Sequence, residues 1–167
     1  MPNRAMSEQE LFTFIHEREH RSTALMLRSF PRESFDVRFE GGRSTREWAL
    51  AFILQEQLLT AVCGGDPPAT PAMWPASPED IVSAYEDAHR QSCASLACLT
   101  EQEWNEALHS PDELGLCEPV RRGELLWIAL EDLVDQVEQL AEHRTAAAER
   151  RSAIPGSPES KELELSA

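Results

Sequence analysis

Helix-start signals at four places constrain the fold of this sequence more than any other feature. Segments 7–10, 44–47 and 100–103 have the capping-box pattern, in which a serine or threonine and a glutamate three positions later cap each other's backbone amides. Segment 77–80 offers a serine N-cap, a proline at the first helical position and acids that complement the helix dipole. Because β-branched residues are sparse and alternating apolar runs are absent, the sequence predicts an all-α fold.

The connections between these starts are rich in helix breakers, for example Gly64-Gly65 and the proline-rich stretch 66–78. They leave room for four long helices, the last from about Val120 to about Arg150, and a short helix that opens at Thr100. We therefore expect a four-helix bundle with a short extra helix between the third and fourth long helices. Short strands within residues 34–41 would be peripheral. Residues 1–152 form a single domain in this interpretation, and residues 153–167 form a flexible acidic tail.

The charge of the chain limits its partners. The sequence has 30 acidic and 15 basic residues, a formal net charge of −15, and its few basic clusters are interleaved with acids. Such a field repels phosphate, so we expect neither nucleic-acid nor membrane binding. No apolar run reaches the roughly 20 residues of a membrane span, and the N-terminus lacks a signal-peptide stretch. The four cysteines form no C-x-x-C pair, which favours reduced thiols in a cytoplasmic protein.

A zinc-protease pattern, H-E-x-x-H, is present at residues 16–20. On a helical wheel with Leu11 at zero, the apolar residues of this segment fall on one side, while His16 lies at about 140° and His20 at about 180°. Both histidines therefore point away from the expected apolar face, and no third ligand is recognisable in sequence. The pattern is interpreted as a chance match on a solvated face, with no metal bound.

The same wheel places Arg18 and Ser22 in the middle of the apolar stripe. A charged group in that position needs a partner or a wet cavity. Arg18 either extends to the end of the bundle or forms a structural ion pair, or it lines a polar pocket inside the bundle.

Most of the chain resembles the DinB-like superfamily of four-helix bundles. The resemblance rests on the stretches "GGRSTREWALAFILQEQ", "SPEDIVSAYEDAHRQSCASLACLTEQEW", "RRGELLWIALEDLVDQVEQLAEHR" and "RRSAIPGSPES", in that order. It implies a helical bundle in which metal-binding members use one histidine from the second helix and two, four residues apart, from the last helix.

At the corresponding positions this sequence has Ala51, Asp132 and Gln136, or Phe52 in place of Ala51 if the alignment slips by one residue. Alanine has no donor atom, and glutamine is a poor ligand for zinc or nickel. The resemblance thus implies that the family metal site has been lost, and we expect no cofactor. Asp132 and Gln136 could instead share a ligand pocket with Arg18, or they could be solvated residues beside the core.

The function expected from these residues is binding of a small ligand or a protein partner by a DinB-like bundle. We also expect the protein to be stress-associated and homodimeric. Four tryptophans offer aromatic walls for a ligand, although they also suit core packing. The alternative is a thiol-dependent transferase or isomerase, of the bacillithiol or mycothiol type, which the resemblance suggests. The candidate pocket residues are Arg18, Ser22, Ala51, Asp132 and Gln136.

Overall fold

A computed structural model describes residues 5–38, 42–67, 73–108 and 119–152. The long helices are α1 (Glu8–Ser29), α2 (Thr45–Val62), α3 (Pro78–Cys98) and α5 (Arg122–Ser152), and a short helix, α4 (Glu101–Trp104), lies between α3 and α5. A single 3-10 turn covers Arg32–Ser34. The all-α prediction and the short extra helix are confirmed.

The predicted helix starts are confirmed in detail. Ser7, Ser44 and Thr100 each accept a hydrogen bond from the backbone amide three residues later, and the glutamate at that position accepts one from the capping residue's own amide. Ser77 caps α3, with Pro78 as the first helical residue. These contacts are local, so a short stretch of sequence is enough to specify them.

Two short strands pair outside the helices, but not where strands were suggested. Strand β1 (Ala107–Leu108) is antiparallel to β2 (Val120–Arg121), immediately before α5. Residues 34–38 of the suggested region contain no strand, and residues 39–41 lie outside the described part of the chain. The sheet is peripheral, as expected of any strands in this chain.

The four long helices surround one hydrophobic core. Helix α2 packs against α3 and α5, and α1 also packs against α3 and α5. The most deeply buried side chains come from all four helices and from the turn after α1; they include Phe12, Leu27, Phe35, Phe52, Ile53, Leu59, Ile81, Tyr85, Leu96, Leu126, Leu130 and Leu133.

Glycines matter at two joints of this packing. Gly64 ends α2 with a φ of 80°, a conformation that side-chain-bearing residues rarely adopt. A Cβ atom added to Gly123 would lie 2.5 Å from the ring of Trp104, so the absence of a side chain lets α5 approach α4. Together the two glycines fix where α2 stops and where α5 begins to pack.

None of the described helices combines the length and the apolar character needed to cross a membrane. Cys63, Cys93 and Cys98 are free thiols, in agreement with the prediction for these three. Cys117 and the predicted acidic tail, residues 153–167, lie outside the described residues.

Candidate functional site

An acidic side chain lies inside the core. Helix α2 buries one face at spacings of three and four residues, and Glu56 occupies that face between Ile53 and Leu59. Its side chain is 0% exposed. Because an ionised carboxylate is costly to bury, the residues that surround Glu56 must satisfy its oxygens.

Three side chains from two other helices donate hydrogen bonds to Glu56. Nε2 of His16, on α1, lies 3.0 Å from Oε2 and 3.2 Å from Oε1. Nδ1 of His89, on α3, lies 3.1 Å from Oε1, and the hydroxyl of Ser92 donates to Oε2 at 2.5 Å. Burial alone would raise the pKa of Glu56, but the hydrogen bonds from His16 and His89 outweigh it and hold the pKa well below its usual value. Glu56 is therefore a carboxylate, which can only accept, so both imidazoles present N–H groups to it.

His20 and Cys93 both lie against the ring of His89. The ring of His20 stacks on that of His89, with centroids 3.5 Å apart and planes inclined by 1°. Sγ of Cys93 lies 3.3 Å from Nε2 of His89. Burial, with a smaller effect from the charge of His89, lowers the pKa of His20 to about 4. We call the group formed by these residues the Glu56 cluster; its members are His16, His20, Glu56, His89, Ser92 and Cys93.

The Glu56 cluster contains two sets of three metal-ligand atoms. In the first set, donor atoms of His16, His89 and Cys93 all lie within 4.8 Å of one another; in the second, donor atoms of His20, Glu56 and His89 do so. Since the two sets share His89, a single ion would use one or the other.

The hydrogen bonds favour the first set. Metal-binding histidines usually donate their other ring N–H to a carboxylate, which fixes the ring and its tautomer. Glu56 plays that part for both His16 and His89. The ring nitrogens that do not face Glu56 are Nε2 of His89 and Nδ1 of His16. Nδ1 of His16 is buried and, like Nδ1 of His20, has no hydrogen-bond partner among the described residues. Around a tetrahedral zinc ion, nitrogen and sulfur ligands are about 3.5 Å apart, close to the 3.3 Å between His89 and Cys93.

The prediction that His16 and His20 face solvent is wrong. His16 is 0% exposed, and His20 is half-buried. The wheel was centred on the wrong face of α1, because that helix carries apolar residues on both sides: Leu11, Phe14 and Leu25 are exposed, whereas Phe12, Ala24 and Leu27 are in the core. The two histidines of the H-E-x-x-H pattern nevertheless do not share a ligand set, and Glu17 is exposed.

The placement of Arg18 and Ser22 on the buried face is wrong for the same reason. Both residues are exposed, and Arg18 pairs with its neighbour Glu19 at 2.6 Å. Asp132 is also exposed, while Ala51 and Gln136 are half-buried. The described residues therefore show no buried polar pocket that joins Arg18 to Asp132. Binding of a ligand at these positions stays a prediction.

Sequence reasoning missed Glu56 and His89, although the sequence carries a signal for them. Glu56 lies in a largely apolar helix, three residues after Ile53 and three before Leu59, and an acid at such a position requires a buried partner. His89 and Ser92 occupy the buried face of α3 at a spacing of three. Two of the tryptophans proposed as ligand walls, Trp48 and Trp104, are core residues.

Comparison with known proteins adds to the fold and not to the function. No family model matches the sequence, and no curated protein matches it. The structure is similar to that of a conserved protein from Enterococcus faecalis, with a TM-score of 0.63 and 15% sequence identity, over 84% of this chain and 96% of that chain. A similarity at this level of identity supports a shared helical fold alone.

Proposed function

We propose that this protein binds a divalent transition-metal ion through His16, His89 and Cys93, and that zinc is the ion. The observation that carries the proposal is the position of Glu56, whose buried carboxylate orients two imidazoles beside a thiol. Imidazole nitrogen and thiolate sulfur from three side chains are a ligand set typical of zinc.

The charge of the Glu56 cluster supports a cation. Both ion pairs of Glu56 within the described residues are with histidines, and no lysine or arginine contacts it. Burial, together with the nearby charges of Glu56 and Glu17, raises the pKa of the Cys93 thiol to about 12. A divalent ion would compensate the charge of the Glu56 carboxylate. It would also bind the sulfur of Cys93 as the thiolate and so lower the pKa of that thiol.

The wider function proposed with this site is binding of a small ligand by a helical bundle. The mutual packing of four long helices and the sequence resemblance support a DinB-like four-helix bundle. In such a bundle the metal would lie among α1, α2 and α3. The site would thus differ from the family position, which corresponds to Ala51, Asp132 and Gln136.

Metal analysis of the full chain, purified without an affinity tag, tests the proposal. We expect about one equivalent of zinc, and cobalt substitution should give the strong absorption of a thiolate–cobalt bond. His89→Ala should abolish binding, and Cys93→Ala should remove the thiolate band. His143→Gln is the matched control, since His143 is a half-buried histidine of α5 outside the cluster.

The variants also separate the two ligand sets. His20→Ala should keep the metal if His16, His89 and Cys93 bind it, and should lose the metal if His20, Glu56 and His89 bind it. Equal metal content in wild-type protein and His89→Ala would contradict both sets and the proposal with them.

A second candidate is a cysteine nucleophile without metal. Cys93 contacts Nε2 of His89, and Nδ1 of His89 contacts Glu56, which is the order of nucleophile, base and orienting carboxylate in cysteine enzymes. The raised pKa of Cys93 opposes this role, because an activated thiol needs a lowered pKa. Metal-free protein in which iodoacetamide modifies Cys93 faster than the exposed Cys98 at neutral pH would favour the nucleophile over the metal site.

A further inference from the structure

A groove between α1 and α3 borders the Glu56 cluster at Cys93. Its volume is about 570 Å³, and its lining includes Thr13, Phe14, Glu17, Arg21, Cys93 and Ala97. Cys93 is the shared residue, because it lines the groove and also contacts His89. A molecule in the groove would therefore reach the proposed metal from the side of Cys93.

The coordination chemistry leaves a place for such a molecule. Three protein ligands satisfy three positions of a tetrahedral ion, and sites of this type take the fourth ligand from solvent or substrate. A carboxylate oxygen can come close to the sulfur ligand, since Oε1 of Glu17 lies 3.9 Å from Sγ of Cys93. Zinc accepts carboxylate oxygen as a ligand, and such an oxygen can approach the proposed site from the groove.

The residues that line the groove indicate the charge and the polarity of the ligand it would bind. Phe14 is 59% exposed and Ala97 is also exposed, so the groove offers an uncovered apolar wall. Arg18 is paired with Glu19, whereas Arg21 has no ion pair within the described residues. The guanidinium of Arg21 attracts an anion, and the apolar wall favours a hydrocarbon body.

We propose that this groove binds a small amphipathic carboxylate whose head group takes the fourth position on the metal and whose apolar body lies against Phe14 and Ala97. The proposal rests on the proposed metal site. It deepens that function by naming the chemical class of the ligand and the face of the molecule from which it enters.

Titration of the cobalt-loaded full chain with octanoate and with acetate tests the proposal. We expect octanoate to change the visible cobalt spectrum at a concentration at least about tenfold lower than acetate, because only octanoate covers the apolar wall. Phe14→Ser should remove most of this advantage and leave the acetate response unchanged. Glu17→Gln should strengthen binding of both acids, since it removes a competing carboxylate.

Leu25→Ser is the matched control, because Leu25 is an exposed apolar residue of α1 outside the groove lining. It should keep the octanoate advantage. A cobalt spectrum that depends on Cys93 but does not respond to octanoate would overturn this inference and leave the metal site intact. Failure to bind cobalt would overturn the proposed function, and this inference with it. Equal octanoate responses in Phe14→Ser and wild-type protein would also overturn the groove as the binding site.

Discussion

At the scale of single residues, Glu56 shows how a charge can be kept inside a helical core. Its two oxygens receive hydrogen bonds from His16, His89 and Ser92, so the carboxylate is satisfied although no arginine or lysine of the described segments contacts it. Removal of one partner from such a buried group costs much more than loss of a surface pair, because the remaining groups stay buried and unsatisfied.

Glu56→Gln should therefore destabilise the metal-free protein by about 3 kcal/mol. The amide keeps the shape of the side chain but presents an N–H₂ group to donors that need an acceptor. We expect metal affinity to fall about 10- to 100-fold as well, since the two imidazoles lose their orienting partner. Urea unfolding measures the first effect, and competition with a zinc chelator measures the second.

Glu131→Gln, an exposed glutamate on α5, is the control for loss of charge and should change stability by less than about 0.5 kcal/mol. If Glu56→Gln were as stable as this control, the cluster would not hold a buried charge.

At the scale of helices, the junction between α4 and α5 depends on close packing. Trp104, the last residue of α4, is buried, and its ring lies where a side chain at position 123 would project. A glycine near the start of α5 is normally a weakness, by about 1 kcal/mol relative to alanine. Here the space it leaves is filled by an indole ring.

Gly123→Ala should lower the free energy of unfolding by about 1 to 2 kcal/mol, because the strain of a 2.5 Å contact exceeds the gain in helix propensity. Chemical denaturation at one temperature measures the change. In a Trp104→Leu background the same substitution should be neutral or stabilising, which separates steric strain from any other effect of the methyl group. A stabilised single variant would show that the ring moves aside at little cost.

At the scale of the whole molecule, α1 presents apolar residues to solvent as well as to the core. Leu11, Phe14 and Leu25 are exposed on the face that the sequence pattern had assigned to the interior. Apolar side chains on one helical face, even with Arg18 and Ser22 between them, can form part of an interface between two chains. The predicted homodimer thus has a specific surface on which it can be tested.

We expect light scattering after size exclusion to give about twice the chain mass of 18.8 kDa, and Leu25→Glu to shift the protein toward the monomer. Met73→Glu changes an exposed apolar residue outside the helices and should leave the mass unchanged. A wild-type protein that runs as a monomer at all concentrations would contradict the dimer.

Much of the helical framework could be read from short stretches of sequence. The capping serines and threonine, the proline at the start of α3 and the glycines after α2 act through contacts within a few residues. The last helix carries apolar residues at spacings of three and four, which is the pattern of a single buried face, and Leu126, Leu130 and Leu133 of this stripe are buried. Because these residues form a single stripe, the pattern predicts which face of the helix is buried.

For α1, the sequence pattern predicts the wrong buried face. The candidate site could not be recognised from the sequence for that reason. Both of its faces carry apolar residues, so a helical wheel gives two acceptable orientations. The choice between them depends on Glu56, which is 40 residues from His16 along the chain, and on His89, which is 33 residues from Glu56.

By itself, then, the sequence determined where helices begin and that the chain is helical, because caps and breakers act between neighbouring residues. Only the tertiary structure decided which face of α1 is buried and which polar groups meet. A buried carboxylate and its hydrogen-bond donors come from three helices, and no local pattern records which distant donor will satisfy it.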